Sequence, residues 1–354
     1  MTRILEINAS DLHLYENDIK FAAEVIKKGG LVAFPTETVY GLGGDATNPL
    51  AAEKIFLAKG RPSDNPLIIH VAKPEEAEGY AYTNDLYYKL ANRFMPGPLT
   101  VIMNARDSVP LATRGGLSTV AVRCPSNPIA RRLIELSGVP IAAPSANLSG
   151  SPSPTSARHV RDDLDGRIDV IIDGGDSDFG VESTIAKIED DDTLTLLRPG
   201  SITVDELRCV ADVKIADAVT GKLSEGAVAL SPGMKYRHYA PKASLVLLDG
   251  EYAEIVNYIK KESLSSVAIL SYSDDYNAFN LDFSNADIYV LGARNNVSEQ
   301  AHHLFAILRE ADKHNYDKIY APLPDKSGVG LALYNRMIRA AAHQIITLRQ
   351  GRDG

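Results

Sequence analysis

Cysteine is scarce in this chain of 354 residues, which contains only Cys124 and Cys209. Two cysteines exclude a disulfide framework and a multi-cysteine zinc site. The eight histidines do not replace them, because none stands at a spacing typical of metal ligands. His302 and His303 are adjacent, and adjacent residues of a helix point to different faces. The sequence therefore predicts no structural metal site.

Long apolar runs are also absent. Nowhere do about 18 apolar residues follow one another, which is the length that a membrane-spanning helix needs. The opening segment contains Glu6, Asp11, Glu16 and Asp18 and lacks the apolar stretch of a signal peptide. We therefore expect a cytoplasmic protein that makes no contact with membranes.

Basic residues are outnumbered, with 37 Lys and Arg against 46 Asp and Glu and a formal net charge of -9. Non-specific binding to nucleic acid depends on a basic surface that neutralises phosphates. The excess of acidic residues therefore argues against non-specific nucleic-acid binding. An anion could still bind in a local basic pocket.

The two standard phosphate loops are missing, since neither G-x-x-x-x-G-K-[ST] nor a complete G-x-G-x-x-G occurs. Gly41, Gly43 and Gly44 come close, but Ala46 occupies the position of the final glycine. Taken alone, these glycines are expected to relax a tight turn.

Two short runs placed far apart are the most informative part of the chain. The first, residues 59–66, carries Lys59 and Arg61 among prolines, which reduce the entropy lost when a loop is fixed. The second, residues 144–147, carries Ser145 and Asn147 directly after an apolar run that is typical of a buried strand. Open α/β sheets hold their ligands in loops at strand ends. We therefore expect a site for a small anionic, polar molecule.

Each of these features also has an ordinary structural interpretation. Lys59 and Arg61 could mark a solvated helix end, and residues 144–147 could be a capped turn. His70, inside an apolar strand, is more often a satisfied core histidine than a catalyst. Arg123, at the end of its strand, could pair with a carboxylate.

Strand patterns alternate with helical patterns over the first two hundred residues, with a loop over 35–44. Helices are predicted near 17–28, 49–58, 85–94, 127–137 and 155–164. Strands are predicted at 31–34, 67–71, 99–103, 119–123, 140–143, 169–173, 183–188 and 193–197. These elements predict an α/β fold with a twisted, mixed sheet.

A second α/β pattern follows residue 241 and predicts a small three-layer domain with a largely parallel sheet. Its predicted strands lie at 245–248, 267–270, 288–291 and 318–320, and its predicted helices near 251–261, 297–311 and 330–342. We therefore divide the chain into a catalytic domain over 1–208, an ordered linker over 209–241 and a C-terminal domain over 242–354.

Several motifs together resemble the YrdC-like family. They are FPTETVYGL at 34–42, KGRP at 59–62, NPL at 65–67, PGPLT at 96–100, VR at 122–123, APSANLSG at 143–150, GVEST at 180–184 and LRPG at 197–200. With SPGMKYRHYAP at 231–241 and the second domain, the chain is similar to the long members of that family that make threonylcarbamoyl-AMP. The resemblance implies a YrdC-like sheet around a concave pocket and a Rossmann-like, Sua-type C-terminal domain.

The activity that the resemblance implies is nucleotidyl transfer. L-threonine, bicarbonate and ATP, with Mg²⁺, would give threonylcarbamoyl-AMP and pyrophosphate for the t6A modification of tRNA. A separate tRNA threonylcarbamoyl transferase would then take the product, with at most a weak contact between this chain and tRNA.

The same resemblance implies roles for individual residues, and the catalytic candidates are Lys59, Arg61 and Arg198. Threonine and its carbamate would be bound by Thr36, His70, Arg123, Ser145 and Ser183. ATP would be bound by Lys59, Ser63, Thr119, Asn147, Ser153, Arg198 and His238.

Two further expectations concern the mechanism. Glu37 or Glu182 could serve as the base for the threonine amine. Residues from Met234 to His238 would form a lid that excludes water from the reactive mixed anhydride.

Two rival functions remain at this point. An RNA-binding module is one, and the acidic balance opposes it. Carbamoyl transfer of the hydrogenase-maturation type is the other, and two cysteines cannot build the zinc fingers that accompany it.

Overall fold

A computed structural model describes residues 1–221, 230–231, 239–262 and 265–348. The chain divides into two compact units. Among the described residues, the first unit contains 1–149, 153–219 and 230–231, and the second contains 239–262 and 265–348 with two short segments, 150–152 and 220–221. The predicted lid from Met234 to His238 lies outside the described residues.

The first unit is built on an eleven-stranded mixed sheet. Its strands are β1 (Arg3–Glu6), β2 (Val32–Phe34), β3 (Gly41–Asp45), β4 (Ile68–His70), β5 (Leu99–Asn104), β6 (Thr119–Arg123), β7 (Ile141–Ala142), β8 (Val170–Asp173), β9 (Thr184–Ile188), β10 (Leu194–Arg198) and β11 (Val213–Ile215). They lie in the order β1-β8-β2-β3-β7-β4-β6-β5-β9-β10-β11. The predicted mixed α/β fold is confirmed.

Helices connect these strands. They are α1 (Glu16–Lys27), α2 (Pro49–Lys59), α3 (Asp85–Phe94), α4 (Leu111–Arg114), α5 (Pro128–Ser137), α6 (Ala157–Leu164) and α7 (Val204–Arg208), with 3₁₀ turns at Ala9–Tyr15, Pro74–Gly79 and Asp217–Val219. Local chemistry sets their ends. At α2, the Asn48 side chain accepts from the Leu50 N–H, Pro49 opens the helix, and Gly60 ends it at φ 61°.

One apolar cluster of this unit lies between α1, α5 and the strands β2, β7 and β8. It includes Ile19, Ile26, Leu133, Val32 and Ile172. Burial of such side chains is the main term that holds helices on a sheet, at about 25 cal/mol per Å² of apolar area.

The prediction of a loop over 35–44 is wrong for its second half, because residues from Gly41 onward form β3. Gly41 and Gly43 do not relax a turn there. A Cβ on Gly43 would lie 2.7 Å from both Ile141 and Phe34 side chains, so this position needs glycine because neighbouring strands pack closely on it. A run of glycines has low strand propensity, and the sequence pattern therefore missed the strand.

The second unit has a five-stranded sheet in the order β14-β13-β15-β12-β16, and every strand pair in it is parallel. The strands are β12 (Ser244–Asp249), β13 (Val267–Tyr272), β14 (Ala286–Gly292), β15 (Lys318–Pro322) and β16 (Ile345–Thr347). The helices are α8 (Tyr252–Lys261), α9 (Tyr276–Asp282), α10 (Val297–Ala311) and α11 (Gly330–Ala340). The predicted parallel α/β architecture is confirmed.

Within the described parts of the chain, no helix combines the length and the apolar character that crossing a membrane would require.

Candidate active site

Lys59 joins the two sequence runs. It is the last residue of α2 and is only 3% exposed. Its ammonium group donates to the carbonyl oxygens of Ser145, at 2.5 Å, and Asn147, at 2.6 Å, and lies 3.3 Å from the Asn147 Oδ1. The Ser149 N–H donates back to the Lys59 carbonyl oxygen at 2.9 Å. The solvated helix end is therefore excluded for Lys59, which holds the 144–147 loop in place.

The 144–147 loop is fixed on its other side by the strand of glycines. The Leu42 N–H donates to the Pro144 carbonyl oxygen, and the Ala146 N–H donates to that of Tyr40, both at 2.8 Å. Within the loop, the Ser145 hydroxyl donates to the Asn147 Oδ1 at 2.5 Å. The loop is therefore held both by backbone pairing and by a buried cation.

A second polar group lies at the ends of β9 and β10. The Arg198 side chain is buried, and it donates from Nε to the Ser183 carbonyl oxygen and from Nη2 to the Ser183 hydroxyl, each at 3.0 Å. The Thr100 and Ser183 hydroxyls are 2.8 Å apart. Two donors of one guanidinium on one residue fix its plane, so Arg198 is oriented before any substrate arrives.

Glu37 and Arg123 form a buried ion pair with 2.7 Å between Oε1 and Nη2. The Glu37 side chain is 2% exposed and that of Arg123 5%. The contact lacks the angle of a hydrogen bond, and no described donor reaches either carboxylate oxygen with that geometry. The sequence left open that Arg123 pairs with a carboxylate, and the structure identifies Glu37 as the partner.

His70 is paired in register with Arg123 across β4 and β6. Burial, and next the nearby Arg123 cation, lower the pKa of His70 to about 3. The ring is therefore neutral at physiological pH. The Ile141 carbonyl oxygen, an acceptor, lies 3.3 Å from Nδ1, which assigns the proton to Nδ1 and leaves Nε2 as an acceptor.

His70, Thr100 and Arg123 share one face of the sheet, because His70 and Thr100 are each paired in register with Arg123. Side chains alternate along a strand, so Thr119, Ala121 and Arg123 project from the same face of β6. Ala121 belongs to an apolar cluster with Ile68 of the neighbouring strand β4 and Ile185 of β9, which lies two strands away. Thr119 and Arg123 stand at opposite ends of β6, about 13 Å apart at about 3.3 Å per residue. On this face, apolar side chains therefore lie between polar side chains at the two ends of β6.

Buried charge is unbalanced in this unit. Among the described residues of the first unit, the buried cationic side chains are Lys59, Arg61, Arg123 and Arg198, against the buried carboxylates Glu37 and Glu182. All four cations are ones that the sequence singled out. In the described part of this unit, buried positive charge thus exceeds buried negative charge, although the net charge of the chain is -9.

The other residues that the sequence predicts for the site differ in burial and in their contacts. Arg61 donates to the Asn65 and Pro66 carbonyl oxygens at 3.3 Å and so braces its own loop, whereas Ser63 is exposed. The buried Ser153 hydroxyl donates to Glu182. The Thr36 hydroxyl donates to the Val39 carbonyl oxygen at 2.6 Å. His238 lies outside the described residues, and the role of each residue stays a prediction.

Thr100 is a site residue for which the sequence assigned no role. It is fully buried at the start of β5 and reaches Ser183 through its hydroxyl. Its sequence signals are its place in the PGPLT motif at 96–100 and its hydroxyl group in an otherwise apolar strand.

Two family models match the chain. The Sua5_yciO_yrdC model, described as "Telomere recombination", covers residues 24–200, and the model described as "Threonylcarbamoyl-AMP synthase, C-terminal domain" covers residues 202–342. Together they span both compact units.

Similar proteins match over nearly their full length. A threonylcarbamoyl-AMP synthase from Pyrococcus abyssi (strain GE5 / Orsay) is 44% identical over 98% of this chain and 99% of its own. One from Bacillus subtilis (strain 168) is 42% identical over 95% and 96%. The crystal structure of P. abyssi Sua5 complexed with L-threonine matches with a TM-score of 0.88 and 42% identity, over 99% of this chain and all of that one.

Proposed function

The chain belongs to the threonylcarbamoyl-AMP synthase family, and from this premise we propose how its own residues carry out the reaction. It is an L-threonylcarbamoyladenylate synthase, a nucleotidyltransferase that acts on L-threonine. We propose ATP and bicarbonate as the other substrates, pyrophosphate as the second product, and a tRNA threonylcarbamoyl transferase as the partner that consumes the adenylate. A cytoplasmic location stays a prediction.

The chemical step is an attack by the carboxylate of N-carboxythreonine on the α-phosphorus of ATP. A new oxygen–phosphorus bond forms, the bond to the β-phosphate oxygen breaks, and pyrophosphate leaves with the electron pair. Negative charge develops on the phosphate oxygens during this step, so positioned cations lower its barrier. The single observation that carries the proposal is the excess of buried cations in the described part of the first unit, where Lys59, Arg61, Arg123 and Arg198 are all buried.

Arg198 and Lys59 have different parts in this scheme. Ser183 fixes the plane of the Arg198 guanidinium, which suits a group that must meet phosphate oxygens with a set geometry. Lys59 acts as a point charge that also anchors the Ser145 and Asn147 loop. Loss of Lys59 would therefore remove a positive charge and also the hydrogen bonds that hold the 144–147 loop.

The Mg²⁺ ion is expected to enter with ATP. In the described part of the chain no group of three His, Cys, Asp or Glu side chains is arranged to hold a metal. Mg²⁺ in phosphoryl-transfer sites is commonly bound through substrate phosphates and water with few protein ligands. Magnesium is thus proposed as part of the substrate.

The threonine end of the site is proposed to lie at Glu37, Arg123 and His70. Neutral His70 can accept a hydrogen bond through Nε2 from the threonine hydroxyl or amine. Of the two carboxylates considered as a base, Glu182 already accepts from Ser153, whereas no described donor is hydrogen-bonded to Glu37. Glu37 is therefore the proposed acceptor of the proton that the threonine ammonium must lose before it captures carbon dioxide.

A product assay tests the proposal. The purified chain is incubated with ATP, Mg²⁺, ¹³C-bicarbonate and labelled L-threonine, and the products are separated by mass. The proposal requires an adenylate that carries both labels, with pyrophosphate release that depends on threonine. Pyrophosphate release without a doubly labelled adenylate would contradict it. RNA binding at physiological salt with no adenylate formed would favour the RNA-binding alternative.

A further inference from the structure

Asn65 carries a buried amide group that has no hydrogen-bond partner. The residue lies in the loop between α2 and β4 and is only 1% exposed. Neither its Nδ2 nor its Oδ1 is hydrogen-bonded to a group in the described part of the chain. A buried amide without partners destabilises a fold, and most buried polar groups are therefore paired. This exception points to a partner from outside the chain.

The backbone around Asn65 is held by its neighbours. Arg61 donates from Nη2 to the carbonyl oxygens of Asn65 and Pro66, each at 3.3 Å. Gly115, at φ 60°, packs on the same loop, since a Cβ at this glycine would lie 3.0 Å from the Pro66 nitrogen. The fold therefore sets the position of Asn65 without the help of a ligand.

A second unpaired donor belongs to the turn that packs on this loop. Arg114 is the last residue of α4 and directly precedes Gly115. Its Nε is buried and has no hydrogen-bond partner among the described residues. The carbonyl oxygen of the preceding Thr113 accepts from the Leu67 N–H at 3.0 Å, so the turn and the loop are in contact. Between them they offer an amide, which both donates and accepts, and one further donor.

Asn65 lies at the opposite end of the strands from the proposed threonine end. β4 and β6 are parallel, and His70 and Arg123 end them in register. Asn65 precedes β4, so it lies toward the amino-terminal ends of these strands, where Thr119 begins β6. In the proposed reaction the threonine carbamate attacks the α-phosphorus, which places the α-phosphate near His70 and Arg123. The nucleoside of ATP can then extend along the strands toward Thr119 and Asn65.

The amide of asparagine matches one edge of adenine. Adenine presents the N6 amino group, a donor, beside N7, an acceptor, and an asparagine can pair with both at once. Guanine presents two acceptors, O6 and N7, at the same edge. The amide satisfies only one of them, whichever way it is turned. In a buried site the unmatched groups stay unpaired, and such a site strongly rejects the wrong ligand.

From these observations we propose that Asn65 recognises the adenine ring of ATP, with Oδ1 accepting from N6 and Nδ2 donating to N7, and that this contact selects ATP over GTP. Arg114 supplies a further donor to the same nucleotide through Nε. The inference rests on the proposed function for the direction in which ATP lies, and it adds the residue that reads the base.

Binding measurements test the proposal. ATP, GTP and 7-deaza-ATP, which lacks the N7 acceptor, are each titrated by calorimetry into the full-length chain with Mg²⁺. The parent chain should bind ATP about ten-fold more tightly than either analogue. Asn65→Leu removes both polar atoms and should bring the three affinities to within about three-fold of one another. Equal affinities of the parent chain for ATP and GTP would overturn the proposal.

Asn92→Leu is the matched control, because Asn92 is exposed on α3 and makes the same chemical change away from the loop. It should keep the parent order of affinities. These titrations need no turnover, so failure of the labelled-adenylate assay and failure of this inference are distinguishable.

Stability separates recognition of a ligand from a structural role. Because its amide is unpaired in the free chain, Asn65→Leu should raise the urea midpoint, and ATP should raise the midpoint less in this variant than in the parent. A structural role predicts the reverse, a lower midpoint with the parent order of affinities, and that result would overturn the proposal. So would a raised midpoint with the preference for ATP retained.

A second variant covers the case in which Asn65→Leu does not fold. Asn65→Asp keeps the size of the side chain and the acceptor for N6, but it loses the donor to N7. It should bind 7-deaza-ATP at least as tightly as ATP. A preference for ATP over 7-deaza-ATP equal to that of the parent chain would overturn the proposal.

Discussion

The ammonium nitrogen of Lys59 lies 2.6 Å from the carbonyl oxygen of Asn147, a residue 88 positions further along the chain. This contact brings the two most informative sequence runs into one structure. It also shows that Lys59 has a structural part in the site, because a buried lysine without acceptors would lose the charge or destabilise the fold.

Lys59→Ala should lower the rate of threonine-dependent pyrophosphate release by about a hundred- to a thousand-fold, or about 2.7 to 4 kcal/mol, the effect of removing one oxyanion donor. Lys54→Ala is the matched control. Lys54 lies on the same helix and its ammonium donates to the Gly29 carbonyl oxygen at 2.6 Å, away from the site. A normal rate in the Lys59 variant would refute a catalytic role.

Arg198→Lys keeps the positive charge but cannot reproduce the two-donor contact with Ser183, which uses Nε and Nη2 together. We expect at least a ten-fold loss of kcat/KM. Ser183→Ala should cost less, since the Ser183 carbonyl oxygen still accepts from Arg198. Steady-state kinetics with threonine and ATP varied in turn measure both. Equal rates for Arg198→Lys and the parent chain would show that the two-donor contact with Ser183 is not needed.

Glu37→Gln should destabilise the fold, because it leaves the buried Arg123 cation without its partner. Breaking a buried ion pair from one side typically costs about 3 to 5 kcal/mol. Urea unfolding measures the change. Asp18→Asn is the control, since Asp18 faces Arg3 at 3.9 Å in an exposed pair, and exposed pairs contribute little. Equal unfolding midpoints for the two variants would contradict a buried, structurally important Glu37–Arg123 pair.

The buried His70 should make the free energy of unfolding depend on pH in the acid range. Its pKa is lowered from 6.5 to about 3 in the folded chain. Between these values the unfolded chain binds a proton that the native chain does not, so stability rises with pH and is lost as pH falls below about 6.5. From pH 7 to pH 5 this residue should cost about 2 kcal/mol of unfolding free energy. His70→Gln should show a flatter dependence, and equal slopes would refute the buried, neutral imidazole.

Much of the fold could be predicted because apolar periodicity is strong where elements are long. The helix near 297–311 was placed at its observed bounds, Val297–Ala311, where Asn296 caps its start. Short strands at sheet edges, such as β1 and β11, carry too few residues for a period to be visible. β3 was missed because close strand packing, and not strand propensity, requires its glycines.

The sequence indicates which residues belong to the candidate site, but it does not indicate which residues they contact. Motifs pointed to the four buried cations, but the partners come from distant parts of the chain. No local pattern indicates that Lys59 donates to backbone carbonyl oxygens, or that Glu37 is the carboxylate beside Arg123. Such pairings depend on strand order, which local patterns do not determine.

The most direct measurement of the central claim is a crystal structure of this chain with L-threonine and a non-hydrolysable ATP analogue. The account predicts that both molecules lie on the sheet face between the 144–147 loop, which Lys59 holds, and the Arg198–Ser183 pair. Phosphate oxygens should be within hydrogen-bond reach of Lys59 or Arg198, and threonine beside His70 and Arg123. Occupation of any other surface by the two ligands, with this face left empty, would contradict it.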